Sequence, residues 1–325
     1  KYPGIYWTWL FMTSLLVGTF AFFGVHTLLW LPRSLQALRH SRQLKAKADP
    51  HEKQFRRFGR LPRYLHVLVI ISFLSLAVTG MTLKFSYLDW AQAISHALGG
   101  FQGTGVIHRF AALVTFFYFV RHIIDLIEKK KASGLSWIGF LTDPDGMLPN
   151  KRDGAEFVQT VKWFVGIGER PQYGRWTYWE KFDYFAVFWG VAMIGFSGLV
   201  LWFPELFTRV LPGSFINIAT IIHSDEALLA AGFIFTIHFF NTHFRPDRFP
   251  MDPVIFTGRM SLDEFKEDRP REYADLVARG ELDQHMVEPM DPRMVRAFKI
   301  FGFTALTIGI SLILLIIWTQ IFNYR

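Results

Sequence analysis

Six apolar runs, each long enough to cross a bilayer, constrain this chain more than any other feature of its sequence. A membrane-spanning helix needs about 20 mostly apolar residues, and hydrophobic residues make up 51% of the chain. Backbone groups that face lipid must form their hydrogen bonds within the protein, so each run is expected to be a helix. A water-soluble all-α protein is the alternative, but six such runs are hard to bury in one. The sequence therefore predicts an all-α integral membrane protein, a single domain with transmembrane helices at about 7–31, 64–85, 105–127, 182–203, 216–244 and 295–322.

Lysine and arginine alternate sharply between the segments that connect these runs. Segments 32–63, 128–181 and 245–294 hold ten, nine and eight of them, whereas 85–104 holds none and 204–215 holds one. Basic segments are retained in the cytoplasm, so these three are predicted to be cytoplasmic and both termini periplasmic. The expected location is the bacterial inner membrane. The net charge of +8 follows from this topology, and no nucleic-acid partner is expected.

The chain contains no cysteine, which limits the cofactors that it can hold. Structural disulfides, iron–sulfur clusters and covalently attached c-type haem all require cysteine. A haem in this chain must therefore be held by histidine or methionine. The chain begins with Lys1 rather than Met, and we expect further sequence to precede it.

Histidines are the polar residues that stand out inside the apolar runs. Ionisable side chains inside a membrane are costly and are functional candidates by default. A single one is as easily a hydrogen-bonded structural residue as a ligand, but seven together indicate a cofactor. Of the eleven histidines, four are expected in solvated loops (His40, His51, His96 and His285) and seven lie within spans (His26, His66, His108, His122, His223, His238 and His243).

The spacing of four of these histidines predicts two stacked pairs. His108 and His122 are 14 residues apart on the third span, which places them on one helix face about 21 Å apart. His223 and His238 are 15 apart on the fifth span, again on one face and about 22 Å apart. The third and fifth spans run in the same direction in the predicted topology. His108 and His223 would therefore lie near the periplasmic side, and His122 and His238 near the cytoplasmic side.

Two histidine pairs at two depths are what two b-type haems in one bilayer require, each iron taking one imidazole from each of two helices. Chance spacing on two helices is the alternative. Arg109 and Arg63 lie beside histidines and are candidate partners of the anionic haem propionates; Arg63 is equally suited to reach the membrane interface. Glycines near the histidines would let a porphyrin approach the backbone, although helix packing also uses small residues.

Several stretches resemble the cytochrome b subunits of membrane-bound formate dehydrogenases, periplasmic hydrogenases and thiosulfate reductases. The similar stretches are Arg63-Tyr-Leu-His66 with Thr79-Gly80, Gly105-Val-Ile-His108, Ile221-Ile-His223 with His238, and Trp202-Phe-Pro204. Phe249-Pro-Met-Asp252 with Thr257-Gly258 resembles a branch linked to multihaem c-type cytochromes. The resemblance covers the second to fifth spans and implies a four-helix di-haem core, with the first and sixth helices as additions.

The resemblance implies ligands that differ in part from those that the spacing favours. It assigns His108 and His223 to the outer haem, in agreement with the spacing. For the inner haem it pairs His66 with His238, whereas the spacing pairs His122 with His238. If both His66 and His122 are ligands, a third haem is present, with His26 or His243 available to complete its site. Otherwise one of the two contacts a quinone or a propionate.

The resemblance further implies electron transfer between the quinone pool and a periplasmic partner. That partner would be a multihaem cytochrome c or an iron–sulfur subunit of an oxidoreductase, and the substrate would be menaquinone or ubiquinone. Asp125, Glu180 and Asp183 are candidates for proton exchange with a quinone at the cytoplasmic side. The alternatives are a haem-free membrane anchor and a transporter with a histidine-lined pathway, although transporters more often show broken helices and mid-membrane carboxylates.

Overall fold

A computed structural model describes residues 3–47, 49 and 51–323 of the chain. Within them, α-helices dominate and the strands are very short. The helices are α1 (Pro3–Lys47), α2 (Arg60–Lys84), α3 (Asp89–Ala97), α4 (Gly100–Ser133), α5 (Trp137–Leu141), α6 (Lys151–Phe164), α7 (Tyr178–Trp202), α8 (Pro204–Phe207), α9 (Ser214–Phe233), α10 (Val254–Thr257), α11 (Leu262–Asp268), α12 (Pro270–Ala278) and α13 (Pro292–Phe322). The strands are β1 (Gln54–Arg56), β2 (Arg259–Met260) and β3 (Met286–Val287).

Six helices are long and apolar enough to cross a membrane, which confirms the prediction of an all-α, multi-pass membrane protein. They are α1, α2, α4, α7, α9 with its continuation to Phe244, and α13. Several extend beyond the predicted runs because polar residues continue the helix past the apolar stretch. The largest extension is in α1, whose 45 residues reach Lys47 and carry the helix well into the predicted cytoplasmic segment.

Four of these helices form two antiparallel pairs. α2 packs on α4 through the short connection that contains α3, and α7 packs on α9 through the turn that contains α8. α2 also contacts α9, which joins the two pairs. α1 packs on α9, where Gly232 faces the Phe20 ring, and α13 packs on α2 and on the end of the fifth span, where Gly309 faces Phe235 and Phe239. The four-helix group is therefore flanked by the first and last spans.

The fifth span changes its winding after Phe233. Two consecutive π-helical segments, Ile234–His238 and Phe240–Phe244, continue α9 without a break in direction. A π-turn accommodates one more residue than the α-helical turn it replaces and occurs often at functional sites. The span thereby gains residues without the rotation that they would cause in a regular α-helix.

A polar cap, formed by residues 51–59, 134–177 and 245–291, covers one end of the helices. Its centre is a three-stranded antiparallel sheet in the order β2-β1-β3, with Phe55 paired to both Met260 and Met286. Phe55 is fully buried and stacks on Phe265, with ring centres 3.6 Å apart. The sheet ties the entry to α2 to the segment that follows the fifth span. Sequence patterns did not predict these strands, since each has only two or three residues.

Buried ion pairs hold the polar cap together. Glu272 accepts from Arg57 at 3.1 Å and from Arg175 at 2.8 Å, and both Arg57 and Glu272 are almost inaccessible to solvent. The Arg57 guanidinium also lies 4.7 Å from the centre of the Trp176 ring. Burial lowers the pKa of Arg57 to about 9, so it remains charged at neutral pH. Arg269 makes a bidentate salt bridge with Glu180, a carboxylate in the first turn of α7.

Some local expectations are wrong. The segment after the fifth span forms two separate helices over 262–278, because Pro270 begins a new helix after Asp268. His40 and His96 lie in α1 and α3 rather than in loops. Asp225 and Glu226 lie far inside α9, which begins at Ser214. Neither carboxylate caps that helix.

Candidate functional site

His108 and His223 face each other across the four-helix group. His108 projects from α4 and His223 from α9, and their ring centres are 6.1 Å apart with planes at 69°. An imidazole nitrogen lies about 2 Å from a coordinated metal ion. Adding about 1.1 Å from nitrogen to ring centre on each side gives about 6 Å for two imidazoles on one ion. The observed separation of 6.1 Å is compatible with two imidazoles on one metal ion.

Each of these imidazoles is oriented by a hydrogen bond at its Nδ1 atom. Thr79 Oγ1 of α2 lies 2.8 Å from His108 Nδ1. The Ile194 carbonyl oxygen of α7 lies 3.0 Å from His223 Nδ1, and Ser197 Oγ lies at 3.3 Å. Metal-binding histidines usually donate their second ring N–H to such a partner, which fixes the ring orientation and the tautomer. The nitrogen left for coordination is Nε2 in both rings.

Glycines next to these hydrogen-bond partners make room for the rings. A Cβ atom on Gly80 would lie 3.3 Å from Cε1 of His108, and one on Gly198 would lie 3.0 Å from Cε1 of His223. Both distances are too short for comfortable packing. Thr79-Gly80 in the α2–α4 pair and Ser197-Gly198 in the α7–α9 pair therefore play equivalent roles: the hydroxyl residue lies at the Nδ1 atom of an imidazole, and the glycine makes room for its ring. The sequence alone does not indicate this correspondence, because no other repeat accompanies it.

His238 and His66 both lie nearer the polar cap. His238 is the last residue of the first π-helical segment, and its Nδ1 lies 3.0 Å from Asp183 Oδ2 of α7. His66, on α2, is close enough to His238 to interact with it electrostatically. The Nδ1 atom of His66 is buried and has no hydrogen-bond partner. The carboxylate behind His238 is the partner that a metal-binding imidazole usually has, and the unpartnered Nδ1 atom of His66 is available as a donor to a bound group.

The π-helical winding accounts for the 15-residue spacing between His223 and His238. In a regular α-helix, 15 residues leave the second side chain about 60° past the first. The extra residue of the π-turn removes part of that rotation. The sequence alone could not reveal this, because nothing in Ile234–His238 marks a π-turn.

His122 is placed apart from His238. Its Nε2 atom lies 2.8 Å from the hydroxyl of Tyr184 on α7, and its ring packs edge-on against Phe188. Asp125, one turn further along α4, is 8% exposed and lies 2.6 Å from Lys129. The structure thus brings the rings of His108 and His223 together and places His66 within electrostatic range of His238, while His122 joins a different polar group.

The remaining span histidines have separate environments. His26 of α1 is 5% exposed, its Nε2 lies 2.5 Å from the Tyr178 hydroxyl, and its Nδ1 has no partner. His243, one π-turn after His238, accepts a hydrogen bond at Nδ1 from the Asp252 backbone at 3.3 Å. It also interacts electrostatically with His66. The structure does not place His26 beside any other histidine ring.

Arg109 and Arg63, the two candidate partners of the haem propionates, have defined contacts in the structure. Arg109 follows His108 on α4, and its guanidinium lies 5.8 Å from the centre of the Trp202 ring. Arg63 donates from Nε to the carbonyl oxygen of Phe256 at 2.6 Å. The Arg63 side chain therefore joins α2 to the polar cap through its Nε atom, which leaves the outer nitrogens of the guanidinium for another partner.

Within the part of the chain that the structure describes, no group of three or more His, Cys, Asp or Glu side chains is arranged to hold a metal ion. Two protein ligands suffice for a haem iron, since the porphyrin supplies the other nitrogens. No protein-family model matches the chain, and no curated protein matches its sequence. The function is therefore argued from the residues themselves.

Proposed function

We propose that this protein is a membrane cytochrome b that carries electrons between the quinone pool and a periplasmic redox partner. The observation that carries the proposal is the His108–His223 pair, whose rings stand 6.1 Å apart with each Nδ1 engaged by a neighbouring helix. This arrangement leaves two Nε2 atoms for one iron. A bound b haem supplies reversible one-electron chemistry.

The proposal assigns the outer haem to His108 and His223 and the inner haem to His66 and His238. Asp183 orients the inner imidazole of His238. Two b haems are proposed rather than three, because His122 and His26 each bond to a tyrosine hydroxyl instead of facing another histidine. The resemblance of the Arg63–His66 and Gly105–His108 stretches to formate dehydrogenase cytochrome b subunits supports the same ligands.

The proposal also includes the topology and the partners. The side with the polar cap is cytoplasmic, in keeping with its many Lys and Arg residues, and both termini are periplasmic. The membrane is the bacterial inner membrane. The substrate is menaquinone or ubiquinone on the cytoplasmic side, and the external partner is a multihaem cytochrome c or an iron–sulfur subunit.

The alternative functions differ from the proposal in their use of the histidines. A haem-free anchor would have no need of a facing histidine pair with both Nδ1 atoms engaged, nor of a further histidine bonded to a carboxylate. A transporter would be expected to show interrupted helices around a binding site in the middle of the membrane. The fifth span instead continues through its π-helical segments without unwinding.

The test is a reduced-minus-oxidised spectrum of the purified protein with a haem assay. We expect a b-type α-band and two haems per chain. His108→Ala and His223→Ala should each remove one haem, and His66→Ala should remove the other, whereas His122→Ala should retain both. A colourless protein, or full pigment after loss of both His108 and His223, would overturn the proposal.

A further inference from the structure

The side of the four-helix group between α4 and α7 differs from the others. α2 packs closely on α4, α7 on α9, and α1 and α13 lie against α9 and α2. α4 and α7 are instead joined through side chains: Phe119 meets Phe188 with ring centres 5.2 Å apart, and His122 meets Tyr184. This seam faces lipid, with Phe117 and Phe185 about half exposed or more.

A polar couple lies in this seam, toward the polar cap. His122 Nε2 and the Tyr184 hydroxyl are 2.8 Å apart, and both side chains are partly accessible. Asp125 interacts electrostatically with Tyr184 and pairs with Lys129, which lies near the end of α4. Polar side chains are costly inside a membrane, so these residues are candidates for a functional role. Neither proposed haem uses them.

The couple also lies next to the proposed inner haem. Tyr184 directly follows Asp183, the carboxylate that bonds to His238. Consecutive residues of α7 therefore face the proposed haem ligand on one side and the lipid-accessible couple on the other. A molecule bound at the couple would therefore lie one α7 residue away from the carboxylate that bonds to His238.

We propose that His122 and Tyr184 bind the headgroup of an isoprenoid quinone that enters from lipid between α4 and α7. This inference rests on the proposed function, since the inner haem exchanges the electrons. An imidazole N–H and a phenol can both bond to the quinone oxygens, and the apolar seam suits the ring and tail. A quinol bound there would give up two electrons, one at a time, to the haem that His66 and His238 would hold. Its two protons would pass by Asp125 toward the cytoplasm, and reduction of a quinone would be the reverse.

A second histidine–tyrosine couple on α7 provides a matched control. His26 and Tyr178 are 2.5 Å apart, but His26 is 5% exposed and is enclosed by Phe23 and Phe164. Tyr178 also packs edge-on against Phe157, with ring centres 5.5 Å apart. This couple has the same chemistry without access from lipid, so its loss is expected to leave quinone binding unchanged.

The experiment uses the intact protein, a photoreactive azidoquinone with a short isoprenoid tail, and decylubiquinol as reductant. Labelled peptides are expected to map to α4 near His122 and to α7 near Tyr184. His122→Gln and Tyr184→Phe should each slow haem reduction by decylubiquinol about tenfold, the effect of losing one good hydrogen bond. Reduction by dithionite and the haem content should not change. His26→Gln and Tyr178→Phe should reduce at the wild-type rate.

Three results would overturn the inference. The first is a wild-type rate of reduction by quinol in both His122→Gln and Tyr184→Phe. The second is loss of haem in His122→Gln, which would make His122 an iron ligand. The third is labelling or slowed reduction confined to His26 and Tyr178. Tyr184→Phe removes only one oxygen atom, so this variant is expected to fold even if His122→Gln does not. Absence of haem from the wild-type protein would refute the proposed function rather than this inference.

Discussion

The carboxylate of Asp183 and the imidazole of His238 are hydrogen-bonded across two helices, with 3.0 Å between Oδ2 and Nδ1. Both side chains are largely enclosed. A carboxylate that accepts from a ligand imidazole makes the coordinating nitrogen more basic. The pair therefore links the chemistry of the proposed inner haem directly to α7.

Asp183→Asn should raise the midpoint potential of one haem, because the lost negative charge favoured the oxidised iron. We expect a shift of about 60 mV, equivalent to a tenfold change in the one-electron equilibrium. Spectroscopic redox titration measures it. Asp145→Asn, which alters an exposed pair with Arg152, is the control. Equal potentials in wild type and Asp183→Asn would show that the carboxylate does not act on a haem ligand.

Gly198→Val should remove the outer haem. A Cβ at this position already lies 3.0 Å from Cε1 of His223, so a branched side chain must displace the ring. Gly190→Val, on the same helix, is the matched control, since a Cβ there meets no atom within 4 Å. Haem assays of both variants provide the comparison. Retention of two haems by Gly198→Val would contradict the placement of His223.

Glu272→Ala should destabilise the polar cap. The substitution leaves Arg57 buried without its carboxylate, and breaking a buried pair in this way costs about 3–5 kcal/mol. Glu281→Ala removes an exposed partner of Arg279, where a change of no more than about 1 kcal/mol is expected. Thermal unfolding of the purified variants in detergent measures both. Similar melting temperatures for the two variants would argue against the buried network.

Glu156 should make the stability of the protein depend on pH. One of its oxygens accepts from Arg271 at 2.8 Å, while the other is buried without a partner, and burial raises the pKa of this carboxyl. The folded state therefore binds a proton more readily than the unfolded state. The resulting stabilisation is complete below the ordinary pKa near 4.5 and is lost as pH rises through the raised value.

The measurement is thermal unfolding of wild type and Glu156→Gln between pH 7 and pH 4.5. As pH falls, the melting temperature of the wild type should rise relative to that of the variant. Glu169→Gln changes an exposed carboxylate and should track the wild type. A constant difference between wild type and Glu156→Gln across this range would show that Glu156 does not titrate as inferred.

The spans were predictable because bilayer thickness and backbone hydrogen bonding leave few choices for a long apolar run. The approach of His108 to His223 was predictable for a similar reason, since helical geometry fixes their faces and depths. Periodicity alone paired His238 with His122, because it fixes faces and depths along a helix but not which neighbouring helix packs against that face. Only the resemblance paired His238 with His66. The separation of His122 from His238 likewise depends on packing between distant helices.

The polar cap was beyond sequence reasoning for a different reason. Its sheet joins Phe55 to Met260 and Met286, residues separated by more than two hundred positions in the chain. Strands this short carry no alternating pattern. Their pairing follows from the ends of the spans being brought together, which no local feature of the sequence encodes.

The length of α1 has a mechanical consequence. Its 45 residues extend about 68 Å, more than twice the roughly 30 Å thickness of the hydrocarbon layer. Beyond the apolar part, Ser41 donates to the Asp247 carbonyl at 2.8 Å, and His40 lies 3.2 Å from Glu267. The end of α1 that lies farthest from Pro3 is thus fixed to the polar cap. Because the apolar part of α1 packs on α9, the helix that carries His223, a displacement of the polar cap would be carried along α1 to α9.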